Sequence, residues 1–202
     1  GWANPGEQVS VTCGDVSAKG TAGSEGTWKV MFPKMPAGGP FQLQIRGTNS
    51  LTFEDVLIGE VWLGSGQSNM AMTVNRAKDF DSEAAAANYP QIRMFTVASG
   101  PAEQSQADCR GDWVVCSPQT VTRFSATAYF FGRELHRELK IPVGLINSSV
   151  GGTPIESWFS PEAQVASPEL KSFFAAVERE NASLDEAKAK AKYERDITAW
   201  QK

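Results

Sequence analysis

The stretch Ile58–Val74, IGEVWLGSGQSNMAMTV, constrains the fold more than any other part of the chain. From Val56 to Leu63 the residues are mostly apolar and bulky, the composition of a strand buried on both faces of a parallel sheet. The chain then passes through Gly64-Ser65-Gly66-Gln67-Ser68-Asn69 before Met70 and Met72 restore apolar character. A strand running into a Gly/Ser turn ahead of a helix is where an α/β fold exposes a functional side chain. Amides behind such a turn stabilise a nearby negative charge. Gly64 and Gly66 carry no Cβ, which leaves room for a ligand against the backbone. Taken alone, the hexapeptide reads equally well as a plain loop.

Residues 1–56 read as β structure. Val9 and Val11 alternate with polar neighbours, as do Trp28, Val30 and Phe32, and then Phe41, Leu43 and Ile45. Pro33 to Pro40 is a turn-rich connection between the last two runs, and Leu51–Phe53 leads into the apolar strand without a flexible linker. This pattern predicts a small antiparallel β-sandwich over residues 1–56, packed on a second domain of residues 57–202. In that domain Ser82 to Ala87 predicts a helix capped by Asp81 or Ser82, and Gln91–Val97 a strand. Ser99–Thr122 reads as a long functional loop. Ser125–Leu139 is a clear helix with an apolar stripe of Phe124, Ala128, Phe131, Leu135 and Leu139. Pro142 then opens a strand, Val143–Asn147. Strands alternating with helices predict an α/β fold with a parallel sheet and right-handed crossovers.

A second chemical stretch ends that strand: GLINSSVGGTPIESW, Gly144 to Trp158. Gly151-Gly152-Thr153, with Pro154 as a first helical residue, predicts another amide-rich turn. It falls at the same sheet edge as Ser68, although the plainer reading is that both glycines only shape a tight turn. Beyond Ser160 the chain turns rich in Ala, Glu and Lys. Leu170, Phe173, Phe174 and Val177 form an apolar cluster, and Glu186 and Lys190 an i,i+4 pair, which predicts a helical excursion over residues 161–202. Asn181-Ala182-Ser183 is a glycosylation sequon of consequence only in a eukaryotic secretory setting.

Two of these stretches carry a resemblance. GEVWLGSGQSNM resembles the first signature block of the sialate O-acetylesterase family, carbohydrate esterases of the SGNH-hydrolase superfamily. The run FSATAYFFGRELHRELKIPVGLINSSVGGTPIESW matches that family almost throughout. It is not the G-x-S-x-G elbow of the α/β-hydrolases, because Met70 stands where the second glycine belongs. The resemblance implies a flavodoxin-like SGNH sheet with helices on both faces, preceded by the β-sandwich. It implies Ser68 as nucleophile and Gly152, with Gly151 as second choice, as an oxyanion-hole amide beside that of Ser68. It also implies an acetylated sugar or glycan substrate, neither metal nor cofactor, and an extracellular, periplasmic or otherwise exported location.

A serine needs a base, usually a histidine oriented by a carboxylate. This chain has one histidine, His136, which sits mid-helix among charged residues and reads as an ordinary surface or boundary residue. The family's Trp-Tyr-Gln-Gly-Glu block and distal Asp…His pair are absent from these 202 residues. The resemblance therefore implies the front portion of an esterase. A second polypeptide or C-terminal portion would complete its site, and the isolated chain is expected to be inactive. Two other readings are an acetyl-xylan or related plant-polysaccharide esterase on the same scaffold, and a non-catalytic glycan-binding module.

The formal charge of −4 gives no support to nucleic acid or an anionic membrane as partner. No apolar run approaches a membrane span, and the start, Gly-Trp-Ala-Asn-Pro-Gly, has no signal-peptide pattern. Cys13, Cys109 and Cys116 lack zinc-site spacing. Cys13 reads as a small strand residue. Cys109 and Cys116 read equally as a local disulfide or as two unpaired thiols.

Overall fold

The computed structural model describes residues 1–98, 100, 102, 104–183 and 185–200, with only the backbone described for Pro161, Asn181 and Glu186. The side chains of the sequon asparagine and of the Glu186–Lys190 pair's acid thus lie outside the described residues. The chain divides into two units, Gly1–Thr153 and Pro154–Lys202.

The first unit begins with one four-stranded antiparallel sheet: β1 (Gln8–Cys13), β2 (Val16–Thr21), β3 (Gly38–Arg46) and β4 (Ser50–Ile58), in the order β2-β1-β3-β4. Alternation turns Val9, Val11 and Cys13 to one face, where each is 3% exposed. The run at Trp28, Val30 and Phe32 is not a strand. Its side chains do alternate between half-buried and exposed, but it joins no ladder. A Cβ on Gly20 of β2 would stand 3.0 Å from both the Lys29 carbonyl oxygen and a Val30 methyl. The segment therefore crosses the face of the sheet, where its backbone cannot pair edge to edge.

A second sheet follows after Gly59: β5 (Glu60–Gly66), β6 (Tyr89–Thr96), β7 (Trp113–Cys116) and β8 (Val143–Ser149), ordered β5-β8-β6-β7. β5, β8 and β6 are parallel, and β7 runs antiparallel on the far edge. The stretch expected as one long loop thus contains a strand, Trp113–Cys116, too short to stand out by alternation. Asp55, in β4, joins the two sheets. It holds φ 58 and turns its carboxylate onto the Arg93 guanidinium of β6 at 2.9 Å, which keeps the carboxyl below its ordinary range.

Register defines two faces of this sheet. Trp62, Leu145, Met94 and Val114 share one, and Leu63, Ile146, Phe95 and Trp113 the other. On the first face lie α1 (Ser68–Ala71), α2 (Phe80–Ala86) and α3 (Ala126–Leu139), over a core in which Ile92, Met94, Leu145 and Tyr129 are at most 1% exposed. Among the described residues of this unit, then, helices cover one face. α2 begins after Asp79, which is left-handed at φ 56 and caps nothing with its side chain, rather than at Asp81 or Ser82.

The expected interior strand also differs. β5 is an edge strand here, with Val61 62% and Leu63 65% exposed. Its apolar composition suits two covered faces and a partner on each side, but among the described residues only β8 pairs with it. The apolar stripe of α3 is shifted for a related reason. Ala126, Ala128, Tyr129 and Gly132 face the core, while Phe131 and Leu139 are exposed. Phe131 meets Trp62 of β5 edge-on at 5.1 Å, at the flank of the helix. Gly132 sets this rotation, because a Cβ there would come 2.5 Å from both Leu145 methyls.

Glu83 of α2 accepts hydrogen bonds from Tyr129 Oη (2.8 Å) and from Arg133, clasping α2 to α3. Burial alone would raise the Glu83 pKa, but the two bonds outweigh it and hold the carboxyl below its ordinary range. Burial pushes the Tyr129 hydroxyl up, and Glu83 adds to this. The Cys109–Cys116 disulfide is not formed. Cys109 is an exposed thiol and Cys116 is buried at the end of β7, where burial raises its thiol to about 12.

In the second unit, α4 (Pro161–Ala166) is capped by Ser160 Oγ on the Ala163 amide, and α5 (Lys171–Ala182) and α6 (Glu186–Trp200) follow. Pro154 precedes a short 3-10 turn, Ile155–Trp158, rather than standing inside a helix.

Two predictions follow from the α3 packing. Gly132→Ala gains about 1 kcal/mol in helix propensity but overpacks Leu145 at a cost of about 1–3 kcal/mol, so the urea midpoint should fall. The Glu83 clasp should contribute its full stability above the unfolded glutamate pKa of about 4.3 and lose it as pH falls through the lower folded value. Urea titrations across that acid range should show a shallower loss for Glu83→Gln than for the parent chain.

Candidate active site

Ser68 is the first residue of α1, just past the C-terminal end of β5, and its side chain is exposed. α1 is a single turn, closed by Ala71 N–H to Gln67 O and Met72 N–H to Ser68 O, both at 2.9 Å. A helix of four residues has almost no stability of its own. It exists here because its neighbours hold it.

Three contacts fix it. Met70 folds back over β5, with its sulfur 2.9 Å from where a Cβ on Gly64 would stand, so only glycine leaves it that place. Ser125, fully buried ahead of α3, accepts the Ala128 amide at 3.2 Å and donates its hydroxyl to the Met70 sulfur at 3.4 Å. The first turn of α3 then meets the carbonyl end of α1. The Ala126 amide donates to Met72 O at 2.8 Å, and Thr127 Oγ1 donates to Asn69 O at 2.9 Å. Amide donors at a helix start and carbonyls at a helix end are complementary charges.

The second glycine turn reaches the same place. Val150 N–H donates to Gly66 O at 3.0 Å, tying the turn after β8 to the turn after β5. A Cβ on Gly151 would stand 3.6 Å from Ser68 Oγ. Gly152 holds φ 81, a left-handed conformation that glycine adopts without penalty, and open space surrounds its Cβ position. The fold thus brings Ser68 and Gly151 side by side, with Gly152 one residue on. Thr153 Oγ1 donates to Val150 O at 2.8 Å within the turn. Below it, Asn147, 8% exposed, accepts the Ser149 hydroxyl at 2.7 Å.

Ser68 Oγ donates to Gln67 Oε1 at 3.2 Å. That amide oxygen orients the hydroxyl but is not basic enough to remove its proton. His136 is at the other end of α3, about 15 Å along the axis from its first turn. Its Nδ1 lies 2.7 Å from Ile141 O, to which an Nδ1–H donates, and its ring meets Tyr89 edge-on. The structure keeps it away from Ser68. Among the described residues, no group of three or more His, Cys, Asp or Glu side chains is placed to hold a metal ion. Nor is any helix there long and apolar enough to cross a membrane.

A cavity of about 440 Å³ in this unit lies at the opposite end of the sheet. Phe53, Asp55, Val61, Arg93, Trp113 and Gly144 are among its lining residues. β5 starts beside it and ends at Gly66, roughly 20 Å away at strand rise, so it is separate from Ser68.

Ser68, Gly151 and Gly152 were singled out by the family resemblance, since local composition alone reads equally as plain turns. Met70, Ser125 and Thr127 were not, because their roles depend on a contact between segments more than fifty residues apart. The available signal was the Ser125 cap position ahead of α3, which says where a helix begins but not what its first turn touches.

The chain is similar to known proteins over most of its length. The family described as "Carbohydrate esterase, sialic acid-specific acetylesterase" matches residues 58–192. A sialate O-acetylesterase from Rattus norvegicus is 42% identical over 158 residues, covering 70% of this chain and 29% of that protein. The Homo sapiens sialate O-acetylesterase is 37% identical over 183 residues, covering 79% of this chain and 34% of that protein. The chain thus spans about a third of the length of these relatives. Among solved structures, a carbohydrate acetylesterase from Xanthomonas citri superposes with a TM-score of 0.75 at 36% identity, over 79% of this chain and 37% of that one.

Ser125→Ala removes a helix cap and the hydroxyl on Met70 together. It should cost about 1–2 kcal/mol, the upper part of the capping range, read as a lower denaturation midpoint in urea.

Proposed function

Since this chain belongs to the carbohydrate esterase family of sialic acid-specific acetylesterases, we propose that it carries the nucleophile of a serine carbohydrate O-acetylesterase, with Ser68 as that nucleophile. The observation that carries the reading is the placement of exposed Ser68 on a clamped single turn at the C-terminal edge of a parallel sheet, with Gly151 beside it. Open α/β sheets bind their ligands at this edge.

In this reading Ser68 Oγ attacks the carbonyl carbon of an acetyl ester on sialic acid or a related sugar. A base takes the hydroxyl proton as the bond forms. The negative charge on the former carbonyl oxygen is met by the amides of Ser68 and of Gly152, or of its neighbour Gly151. Collapse expels the sugar hydroxyl, which takes up a proton, and leaves an acetyl-Ser68 ester. Water then attacks that ester, releases acetate and restores the serine. Fixed amides lower the barrier because they are already oriented when the charge develops.

The base is not His136, which is held at the far end of α3. It comes instead from sequence outside these 202 residues, in a C-terminal portion or a second polypeptide, and the chain alone is inactive. The resemblance of the signature blocks supports an extracellular, periplasmic or otherwise exported location. The sugar-contacting loops of an acetyl-xylan esterase would fit the same scaffold, and a panel of acetylated sialic acids and xylo-oligosaccharides separates the two.

Ser68→Ala in the full-length protein should lower acetate release by about 10⁴-fold or more without shifting the thermal midpoint by more than a few degrees. Turnover retained by that variant would overturn the nucleophile assignment.

A further inference from the structure

The one turn that presents Ser68 ends in a carbonyl its own helix does not satisfy. Among the described backbone bonds of α1, Ala71 N–H reaches Gln67 O and Met72 N–H reaches Ser68 O, and the next residue, Thr73, is extended and bridges to Ser125 instead. Asn69 O is thus one of the orphan acceptors that every helix end leaves. Thr127 Oγ1 donates to it at 2.9 Å. The bond joins the Asn69–Met70 peptide, one peptide beyond the one that follows Ser68, to the first turn of α3, a fourteen-residue helix whose other turns pack on the sheet.

We infer that Thr127 is a positioning residue for Ser68: its hydroxyl fixes the Asn69 peptide and so the direction in which Ser68 Oγ leaves the turn. Three features support a positioning role over general support of the fold. The Thr127 side chain is exposed, so removing it opens no cavity. The neighbouring Ala126 amide already ties α1 to α3 at Met72 O, so the turn stays attached without Thr127. And the only hydrogen bond seen for Ser68 Oγ runs to Gln67, within the same turn, so nothing outside the turn corrects its aim among the described contacts. What Thr127 adds is orientation. Displacements of about an ångström at a nucleophile are costly because the reacting atoms must meet within a narrow range of distance and angle.

The inference rests on Ser68 being the nucleophile, and the test separates the two. In the full-length protein, Thr127→Val keeps the shape and removes the donor, whereas Thr127→Ser keeps the donor. One net hydrogen bond in a position that water reaches corresponds to roughly a 2–10-fold effect. Thr127→Val should therefore lower kcat by about that factor with KM unchanged, and slow addition of a serine-directed phosphonate to Ser68 in parallel. Thr127→Ser should restore both, and the thermal midpoint should stay with the parent.

A parental kcat and phosphonate rate for Thr127→Val, with Ser68→Ala inactive, would overturn the positioning role alone. So would equal losses in Thr127→Val and Thr127→Ser accompanied by a lowered thermal midpoint, since these indicate general support. Turnover by Ser68→Ala would overturn the nucleophile reading, and the role of Thr127 with it.

Discussion

The close approach of α3 to the central strand β8 is the constraint on which the first unit depends. Gly132 lets the helix settle until the Leu145 methyls occupy the space a side chain would take. That contact fixes the rotation of the helix, so Tyr129 turns inward to meet Glu83 and Ser125 is buried at the helix start. From there the first turn of α3 is aimed at α1. A single packing decision in mid-helix is thus transmitted over two turns to the segment that carries Ser68.

The site is built from parts that are individually weak. A four-residue helix, a glycine pair and a hydroxyl–sulfur contact would each be marginal alone. Their strength comes from mutual dependence, since the β5 and β8 turns are tied at Gly66 and Val150 and α1 is held by α3. The arrangement leaves Ser68 exposed while hydrogen bonds hold the backbone of its turn.

Much of this fold was legible in the sequence. α3 followed from its long periodic run and β8 from the strand expected after Pro142, whereas the apolar run Val56–Leu63, read as one strand, divides at Gly59 between β4 and β5. What local pattern failed to resolve was context. Trp28, Val30 and Phe32 alternate as a strand would, because a segment crossing a sheet face also hides every second side chain. β7 is four residues long and sits inside a polar connection, so only its pairing with β6 reveals it. The stripe of α3 was misplaced by one flank because Gly132, silent on any hydrophobicity scale, marks the line of closest contact. At the site the family resemblance singled out Ser68 and the glycines, while nothing local pointed to Thr127, whose hydroxyl meets a carbonyl 58 residues away.

β5 has a further consequence. Among the described residues it offers an unpaired edge and, at Val61, Trp62 and Leu63, exposed apolar side chains on both faces. Natural proteins blunt such edges with charge, proline or a bulge, because a bare one templates growth of an intermolecular sheet. Glu60, at its first position, is the only charge this strand carries. The strand that delivers the candidate nucleophile is therefore also the cohesive end of this unit.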